Sequence, residues 1–226
     1  MRSEVRGRRS EGGHAAGSAL ILVCFALPEE AGAFRKQLRG LPRVRVRVTG
    51  MGGKNTERAL VPALTVEKPD LVLTCGFAGG LDPALTLNTV LFETADATLA
   101  VRLSAAGLRA ARFHCAGRMA VTAAEKAALR RETGADAVEM ESAHVHKLCR
   151  ERGISCATVR VISDTAGEDM PLDFNQLTTT EMKMHFGRLA LALGKSPTKI
   201  TALLRLRRQI AAAARVLADA LTRLTR

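Results

Sequence analysis

The hydrophobic and polar positions along the chain form short apolar runs separated by longer amphipathic stretches. Residues 19–26 are a continuous apolar run of strand length, which predicts a strand that is covered on both faces. Pro28 ends this run, and the segment from Glu29 is predicted to be a helix because proline is tolerated in a first helical turn. Residues 43–48 alternate arginine with valine, which predicts a second strand with one solvated face.

The rest of the chain continues this alternation of strands and helices. Strands are predicted at residues 71–75, 89–93, 137–138 and 154–162, and helices from the turn at 49–55 to about 67, at 123–132 and at 142–152. Short strands and turns are predicted for residues 95–118. Such an order indicates a single α/β sandwich over residues 19–194, in which ligands gather beyond the carboxyl ends of the strands.

The C-terminal segment is strongly basic. A helix is predicted around Leu189–Leu193, and residues 195–226 are predicted to form a basic amphipathic helix that packs on the domain. From Lys183 to Arg226 there are ten Lys or Arg and one Asp, so this segment carries nine of the twelve net positive charges. The charge is therefore not one broad nucleic-acid-binding face. A solvated helix face is the simplest interpretation, and contact with an anionic membrane surface is the alternative.

The amino-acid composition indicates how the core is packed and which cellular compartment suits the protein. The 226 residues include no Trp, no Tyr and seven Phe, so aliphatic side chains must pack the core and base-stacking side chains are scarce. The five cysteines form no Cys-x-x-Cys pair, which favours buried thiols and a cytoplasmic location. Residues 1–18 are interpreted as a disordered basic leader and not as a signal peptide. No apolar run reaches the about 18 residues that a spanning helix needs.

Two segments with acidic residues are the candidate catalytic segments of the chain. Residues 138–142 (Val-Glu-Met-Glu-Ser) and 160–164 (Arg-Val-Ile-Ser-Asp) fall where predicted strands end. Unpaired carboxylates near a core are costly, so both blocks are interpreted as parts of a site. Three carboxylates brought together at neighbouring strand ends can bind sugar hydroxyls, position a water and carry a proton, as hydrolysis of a glycosidic bond requires. Helix capping or pairing with arginines is the structural alternative.

Other motifs are weaker. The glycine-rich segment 50–54 precedes a helix and is either a phosphate cradle or, more often in such contexts, a tight turn. His144 and His146 are two residues apart and do not share a helix face, so no metal site is expected.

Five segments in order resemble the nucleoside phosphorylases and, within them, the methylthioadenosine/S-adenosylhomocysteine nucleosidases. The matching segments are 26–30 (Ala-Leu-Pro-Glu-Glu), 50–54 (Gly-Met-Gly-Gly-Lys), 74–80 (Thr-Cys-Gly-Phe-Ala-Gly-Gly), 137–141 (Ala-Val-Glu-Met-Glu) and 160–164. The resemblance implies a three-layer sandwich with a central mixed sheet. It also implies an N-ribosyl hydrolase or a phosphorylase that uses no cofactor and assembles as a homo-oligomer.

The resemblance assigns roles to individual residues. Glu30, or Glu29 beside it, would activate the attacking water, Glu141 would hold ribose hydroxyls, and Asp164 would protonate the departing purine. The substrate is expected to be surrounded by Met140, Glu139, Ser163, Arg160, Phe77 and Gly79. Among these, Met140 would pack against the sugar, while Ser163 and Arg160 would hold Asp164 and its loop in place.

The chain also departs from the family pattern. Phe77 stands where a small hydroxyl residue is usual, and an aromatic that would stack on the base is missing near residues 120–121. Residues 186–214 are similar to hopanoid-associated phosphorylases, which release adenine from an adenosylated lipid.

Three functions follow from these features. A hydrolase that releases the base from an adenine nucleoside is expected, because the N-terminal block offers acids and no phosphate site is evident beside it. A phosphorylase that uses inorganic phosphate is the alternative. A non-catalytic nucleoside- or membrane-surface-binding protein is the alternative from another class.

Overall fold

One eight-stranded sheet organises the molecule. The computed structural model describes residues 19–177 and 198–225, so the leader predicted at 1–18 and the helix predicted at Leu189–Leu193 lie outside the described residues. The strands are β1 (Ile21–Phe25), β2 (Val44–Val48), β3 (Leu71–Gly80), β4 (Val90–Glu93), β5 (Arg109–Ala110), β6 (Phe113–Cys115), β7 (Ala137–Glu139) and β8 (Ser155–Asp164). Their order is β2-β1-β3-β8-β4-β5, with β7 beside the end of β3 and β6 beside β7.

The sheet is mixed, as predicted. Strand β1 pairs in parallel with β2 and β3, and β3 pairs in parallel with β8. Strand β4 runs antiparallel to β8, and the short β7 runs antiparallel to the end of β3. The apolar run in β1 is explained by its central position, because all five of its residues are buried between two helical layers.

Helices cover both faces of the sheet and complete a three-layer sandwich. They are α1 (Pro28–Gln37), α2 (Gly53–Glu67), α3 (Ala97–Ala105), α4 (Ala123–Thr133), α5 (Ser142–Arg150), α6 (Phe174–Leu177) and α7 (Thr198–Thr225). One apolar cluster joins Phe34 of α1, Leu103 of α3 and Leu217 of α7 to the sheet. A second cluster joins Leu60 of α2 and Leu148 of α5 to the opposite face. The predicted fold class is therefore confirmed.

The segment 95–118 differs from its prediction. Instead of short strands and turns throughout, it begins with helix α3, and β5 and β6 follow. Asp96 caps the helix by accepting a hydrogen bond from Leu99 N at 3.0 Å. Leu99 and Leu103, four residues apart on one face, are buried against the sheet. This packing decides the helical conformation, since the segment is short and its periodicity weak.

Helix α7 packs on the sandwich along the apolar stripe that its sequence predicts. Leu217 and Leu221 are fully buried, while Arg208 and Arg215 are exposed. Near its N-terminal end the helix leaves Leu204 half exposed. Among the helices of the described residues, none combines the length and the apolar character needed to cross a membrane.

Strands β3 and β8 extend further than predicted, and their ends position the candidate site. Both continue through residues that the sequence suggests are loops, the glycines up to Gly80 and the pair Ser163–Asp164. The register changes between Ala78 and Gly79, where Ala78 is opposite Ile162 but Gly79 is opposite Asp164. This irregularity leaves Ser163 as an extra residue, and such bulges often redirect a side chain at the end of a strand.

Candidate active site

A buried arginine is the centre of the candidate site. Arg160 lies in the middle of β8 and is 1% exposed. Its Nη2 donates to Glu139 Oε2 at 2.6 Å, to Glu141 Oε2 at 3.3 Å and to Thr74 Oγ1 at 3.3 Å. A buried guanidinium is tolerated only with such partners, because leaving water costs several kcal/mol per ion. Arg160 and its carboxylates therefore depend on one another.

Glu139 supports this arrangement from the end of β7. Besides Arg160, its carboxylate accepts hydrogen bonds from the backbone of Glu141 (3.0 Å) and from Ser142 N (2.8 Å) and Oγ (2.6 Å). Burial alone would raise the pKa of Glu139, but Arg160 and Ser142 outweigh it and hold the pKa below its ordinary value. Three of these four hydrogen bonds fall on Oε2 and one falls on Oε1. Glu139 therefore supports Arg160 and the start of α5, and its contact with the substrate stays a prediction.

Glu141 retains accepting capacity. It occupies the N-cap position of α5, but its side chain does not cap that helix. Instead Oε1 accepts a hydrogen bond from Gly52 N at 3.1 Å, and Oε2 faces Arg160. Burial raises the pKa of Glu141 above its ordinary value, although Arg160 opposes the shift. The contact with Gly52 also means that this amide of the glycine-rich segment binds a carboxylate, which weakens the phosphate-cradle interpretation.

Glu30 is the buried member of the acidic pair at the start of α1, whereas Glu29 is exposed. Its Oε2 accepts a hydrogen bond from Leu27 N (2.8 Å), and its Oε1 accepts one from Phe77 N (3.0 Å). Burial raises the pKa of Glu30 to about 7, against the lowering effects of Arg160 and of these backbone donors. Of the two acids that the sequence leaves open, Glu30 is the one that reaches the site.

Gly76 allows Glu30 and Arg160 to meet on β3. A Cβ at this position would lie 2.4 Å from Arg160 Nη1 and 2.5 Å from Glu30 Oε1. Since real Cβ atoms do not approach other atoms so closely, any side chain here would displace one of the two groups. The glycine in the motif thus has a packing reason, which is the close approach of two charged side chains to the backbone.

Asp164 lies at the far end of the same strand, four residues beyond Arg160. Its Oδ1 accepts a hydrogen bond from Ser163 Oγ at 2.8 Å, and Gly79 lies beside its Oδ2. Met140, between the two glutamates of its motif, is partly exposed. Glu30 and Glu141 are thus brought together at Arg160, while Asp164 occupies the adjoining strand end. The catalytic roles of these residues remain predictions.

Comparison with known proteins supports the sequence resemblance. The family model of the phosphorylase superfamily matches residues 100–194. A methylthioadenosine/S-adenosylhomocysteine nucleosidase of Neisseria meningitidis, in complex with methylthio-immucillin-A, has a TM-score of 0.70 and 16% identity, covering 92% of this chain and 98% of that chain. The futalosine hydrolase of Helicobacter pylori has a TM-score of 0.69 and 17% identity, covering 91% and 97%. The Campylobacter jejuni nucleosidase has a TM-score of 0.65 and 18% identity, covering 92% and 98%.

The chain has the fold of these nucleosidases and of the futalosine hydrolase. The resemblance that the motifs predict is confirmed in sequence over residues 100–194 and in fold over most of the chain. The matched region contains Glu139, Glu141, Arg160 and Asp164, while Glu30 lies outside it. Because the structural neighbours share only 16–18% identity with this chain, they establish its fold, and its chemistry has to be argued from the site.

Lys126 is part of the candidate site, although no role for it was predicted from the sequence. Its side chain is fully buried, and Nζ lies 2.5 Å from Asp164 Oδ2. Nζ also donates to the backbone oxygens of Thr165 and Glu168, both at 2.8 Å. The signal in the sequence is weak, since Lys126 is on the same helix face as Leu129, three residues later, but the rest of the helix is a mixture of alanines and charged residues.

The two departures from the family pattern have structural consequences. Phe77 contributes its N–H to Glu30, a contact that does not depend on the side chain, while its ring packs against the main core. The segment 120–121 presents aliphatic side chains, and Val121 O accepts a hydrogen bond from Met170 N at 2.8 Å. The wall expected to face the base is therefore aliphatic and is attached to the loop that follows β8.

No metal centre is evident in residues 19–177 and 198–225. In this part of the chain, no group of three or more His, Cys, Asp or Glu is arranged to hold a metal ion. His144 instead lies beside Glu57, and His146 hydrogen-bonds with Thr158 Oγ1 at 2.8 Å.

Proposed function

We propose that this protein is a purine nucleosidase that hydrolyses the N-glycosidic bond of an adenine nucleoside. The observation that carries the proposal is the buried carboxyl of Glu30, held by two backbone N–H groups beside Arg160 and Glu141. A group fixed in this way, with a pKa of about 7, suits a general base at neutral pH. Proteins of the same fold are named as methylthioadenosine/S-adenosylhomocysteine nucleosidases and as futalosine hydrolases, which supports this reaction class.

In the proposed reaction each carboxyl has one task. Glu30 takes a proton from water as the water oxygen bonds to C1′ of the ribose. The bond from C1′ to the base breaks, and its electron pair moves to the base, which accepts a proton from Asp164. Glu141 accepts ribose hydroxyls on the acceptor positions that Gly52 and Arg160 leave open. Negative charge near the sugar stabilises the positive charge that develops there in the transition state.

The charge around Arg160 favours water over phosphate as the nucleophile. Glu30, Glu139 and Glu141 all interact with this single guanidinium, so the site is negatively charged when they are ionised. A phosphate dianion would be repelled, and its usual ligands are engaged, because Arg160 Nη2 faces carboxylates.

The test is release of free base from methylthioadenosine, adenosylhomocysteine, inosine and an adenosylated lipid, with and without inorganic phosphate. We expect adenine release from at least one adenine nucleoside in phosphate-free buffer. Strict dependence on phosphate, with ribose 1-phosphate as product, would establish the phosphorylase instead. Tight binding of adenine nucleosides without any base release would favour the non-catalytic binding protein.

We also propose that the first turns of α7 contact a membrane surface. Ile200 and Leu204 are 46% and 50% exposed, and Arg205, Arg207 and Arg208 are exposed beside them. Apolar side chains with neighbouring arginines suit an anionic interface. The protein should then co-sediment with vesicles that contain phosphatidylglycerol but not with phosphatidylcholine vesicles, and Leu204→Asp should abolish binding. Equal amounts of protein in the pellet with both vesicle types would refute the proposed contact with an anionic membrane surface.

A cytoplasmic location and a homo-oligomeric state complete the proposal. The five cysteines are all free thiols, four of them buried, which suits a reducing compartment. The assembly is measured directly by sedimentation velocity on the purified full chain, where a monomer at micromolar concentration would contradict it.

A further inference from the structure

Lys126 is a buried cation with a complete set of partners. Its side chain has no exposure to solvent, and three oxygen atoms surround Nζ. One is a carboxylate oxygen of Asp164, and the other two are the backbone oxygens of Thr165 and Glu168 in the loop after β8. Because a buried ammonium ion must be paired, this cage is a requirement for burying Lys126 at all.

The three oxygen atoms around Lys126 Nζ are compatible with two protonation states of the Lys126–Asp164 pair. An ammonium group has three N–H donors, which match the three oxygens when Asp164 is a carboxylate. If the proton moves to Asp164, the neutral amine keeps two N–H bonds to the two backbone oxygens. Its lone pair then accepts the new O–H of Asp164. No hydrogen-bonding group of the cage loses its partner in either state, so the proton can be held on either side.

The surrounding hydrogen bonds fix this geometry. Thr165 N donates to Glu168 Oε2 at 2.9 Å, which closes the loop into a tight turn. Ala123 N, in the first turn of α4, donates to Asp169 Oδ1 at 2.7 Å. The loop and the helix that carries Lys126 are thus tied together on both sides of the pair. The chain around the pair thus holds Lys126 and Asp164 at hydrogen-bond distance.

We propose that Lys126 is a positioning residue that supplies, through Asp164, the proton needed by the departing base. The inference rests on the proposed nucleosidase function and extends it. An N–H bond of Lys126 breaks as an O–H bond forms on Asp164. Asp164 then gives that proton to a ring nitrogen of the base, while the glycosidic bond breaks and its electron pair goes to the base. After the base leaves, solvent returns a proton to Asp164, which passes it back to the buried amine.

Two substrates with different leaving groups test this role. Methylthioadenosine needs protonation of its purine, whereas p-nitrophenyl riboside releases a nitrophenolate that leaves without a proton. Lys126→Gln removes the charge and the transferable proton and leaves a shorter, neutral polar side chain. We expect its kcat to fall by about 100-fold or more for the purine nucleoside and to stay unchanged for the nitrophenyl riboside. Arg131→Gln, on the exposed side of the same helix, is the control and should alter neither rate.

Equal loss on both substrates would mean that Lys126 only supports the fold, and would overturn the proposal. The purine substrate in this test is whichever adenine nucleoside the wild type hydrolyses, and a wild-type protein that releases base from none of them would refute the nucleosidase function itself.

A double-mutant comparison provides an independent test. If Lys126 acts through Asp164, the K126Q/D164N protein should be no slower on the purine nucleoside than D164N alone, since both changes remove one function. If the rate losses of K126Q and D164N instead multiply in the double mutant, the two residues act independently and the proposal is contradicted. Should K126Q not fold, Lys126→Arg keeps the positive charge but has no proton that it can give up, so its rate on the purine nucleoside should fall as far as that of D164N. An arginine variant with near-wild-type turnover of the purine nucleoside would overturn the inference.

Discussion

Replacing Glu30 by glutamine removes one buried ionisable group while nearly preserving its shape. Burial holds the pKa of Glu30 at about 7, compared with an ordinary value of 4.5. Between these two values the folded chain holds a proton that the unfolded chain has lost, so stability falls as the pH rises. Each pH unit contributes about 1.4 kcal/mol, which amounts to about 3 kcal/mol over the whole interval.

Urea unfolding of wild type and E30Q at several values between pH 4.5 and 8 measures this effect. The variant should start less stable by about 1–3 kcal/mol, because its amide N–H₂ faces a backbone donor at Leu27 or Phe77. As the pH rises, wild type should lose about 3 kcal/mol relative to E30Q, since only wild type has to ionise this group. Glu29→Gln, at the exposed neighbour, is the matched control and should run parallel to wild type.

The same group should control activity. A general base works as the carboxylate, so kcat/KM for base release should rise as the pH passes through about 7. E30Q should lose about 10²- to 10⁴-fold in kcat, the usual contribution of a general base. Two results would refute the reasoning: stability curves of wild type and E30Q that stay parallel from pH 4.5 to 8, or an E30Q protein with near-wild-type turnover.

Four further predictions concern residues that support the site and the fold. Gly76→Ala should abolish base release and cost about 1–3 kcal/mol, because its Cβ would overlap Arg160 and Glu30. Gly32→Ala in α1, where nothing lies within 4 Å, should instead stabilise the protein by about 0.5–1 kcal/mol in urea unfolding. Glu139→Gln should destabilise by about 3–5 kcal/mol and lose activity, since it breaks a buried ion pair with Arg160, and a smaller loss would contradict the role given to Glu139. Burial lowers the pKa of His146, so the unfolded chain takes up a proton first as the pH falls, and the contribution of His146 to stability should shrink below about pH 6.5. In urea unfolding, H146Q should therefore gain stability relative to wild type as the pH is lowered below about 6.5, and two curves that stay parallel would contradict this.

The sequence by itself determined most of the sandwich. The apolar run of β1, the valine and arginine alternation of β2 and the stripe of α7 each record which side of an element is buried. Local periodicity carries this information because burial selects apolar residues at the repeat of the element. The acidic blocks after β7 and at the end of β8 could also be found, since carboxylates at strand ends stand out against an apolar core. Helix α3 was missed because its short, alanine-rich segment has little periodicity of its own.

Only the tertiary structure decided what each acidic residue can do. Glu30 differs from Glu29 because its carboxylate accepts the N–H of Phe77, 47 residues away. Glu139 supports Arg160 because β7 and β8 place the two side chains together, and Lys126 contacts Asp164 because α4 packs against the loop after β8. Each of these facts depends on a contact between distant parts of the chain. Such contacts leave no periodic trace in the sequence, since a single polar side chain can find its partner at any separation once the fold has brought the two together.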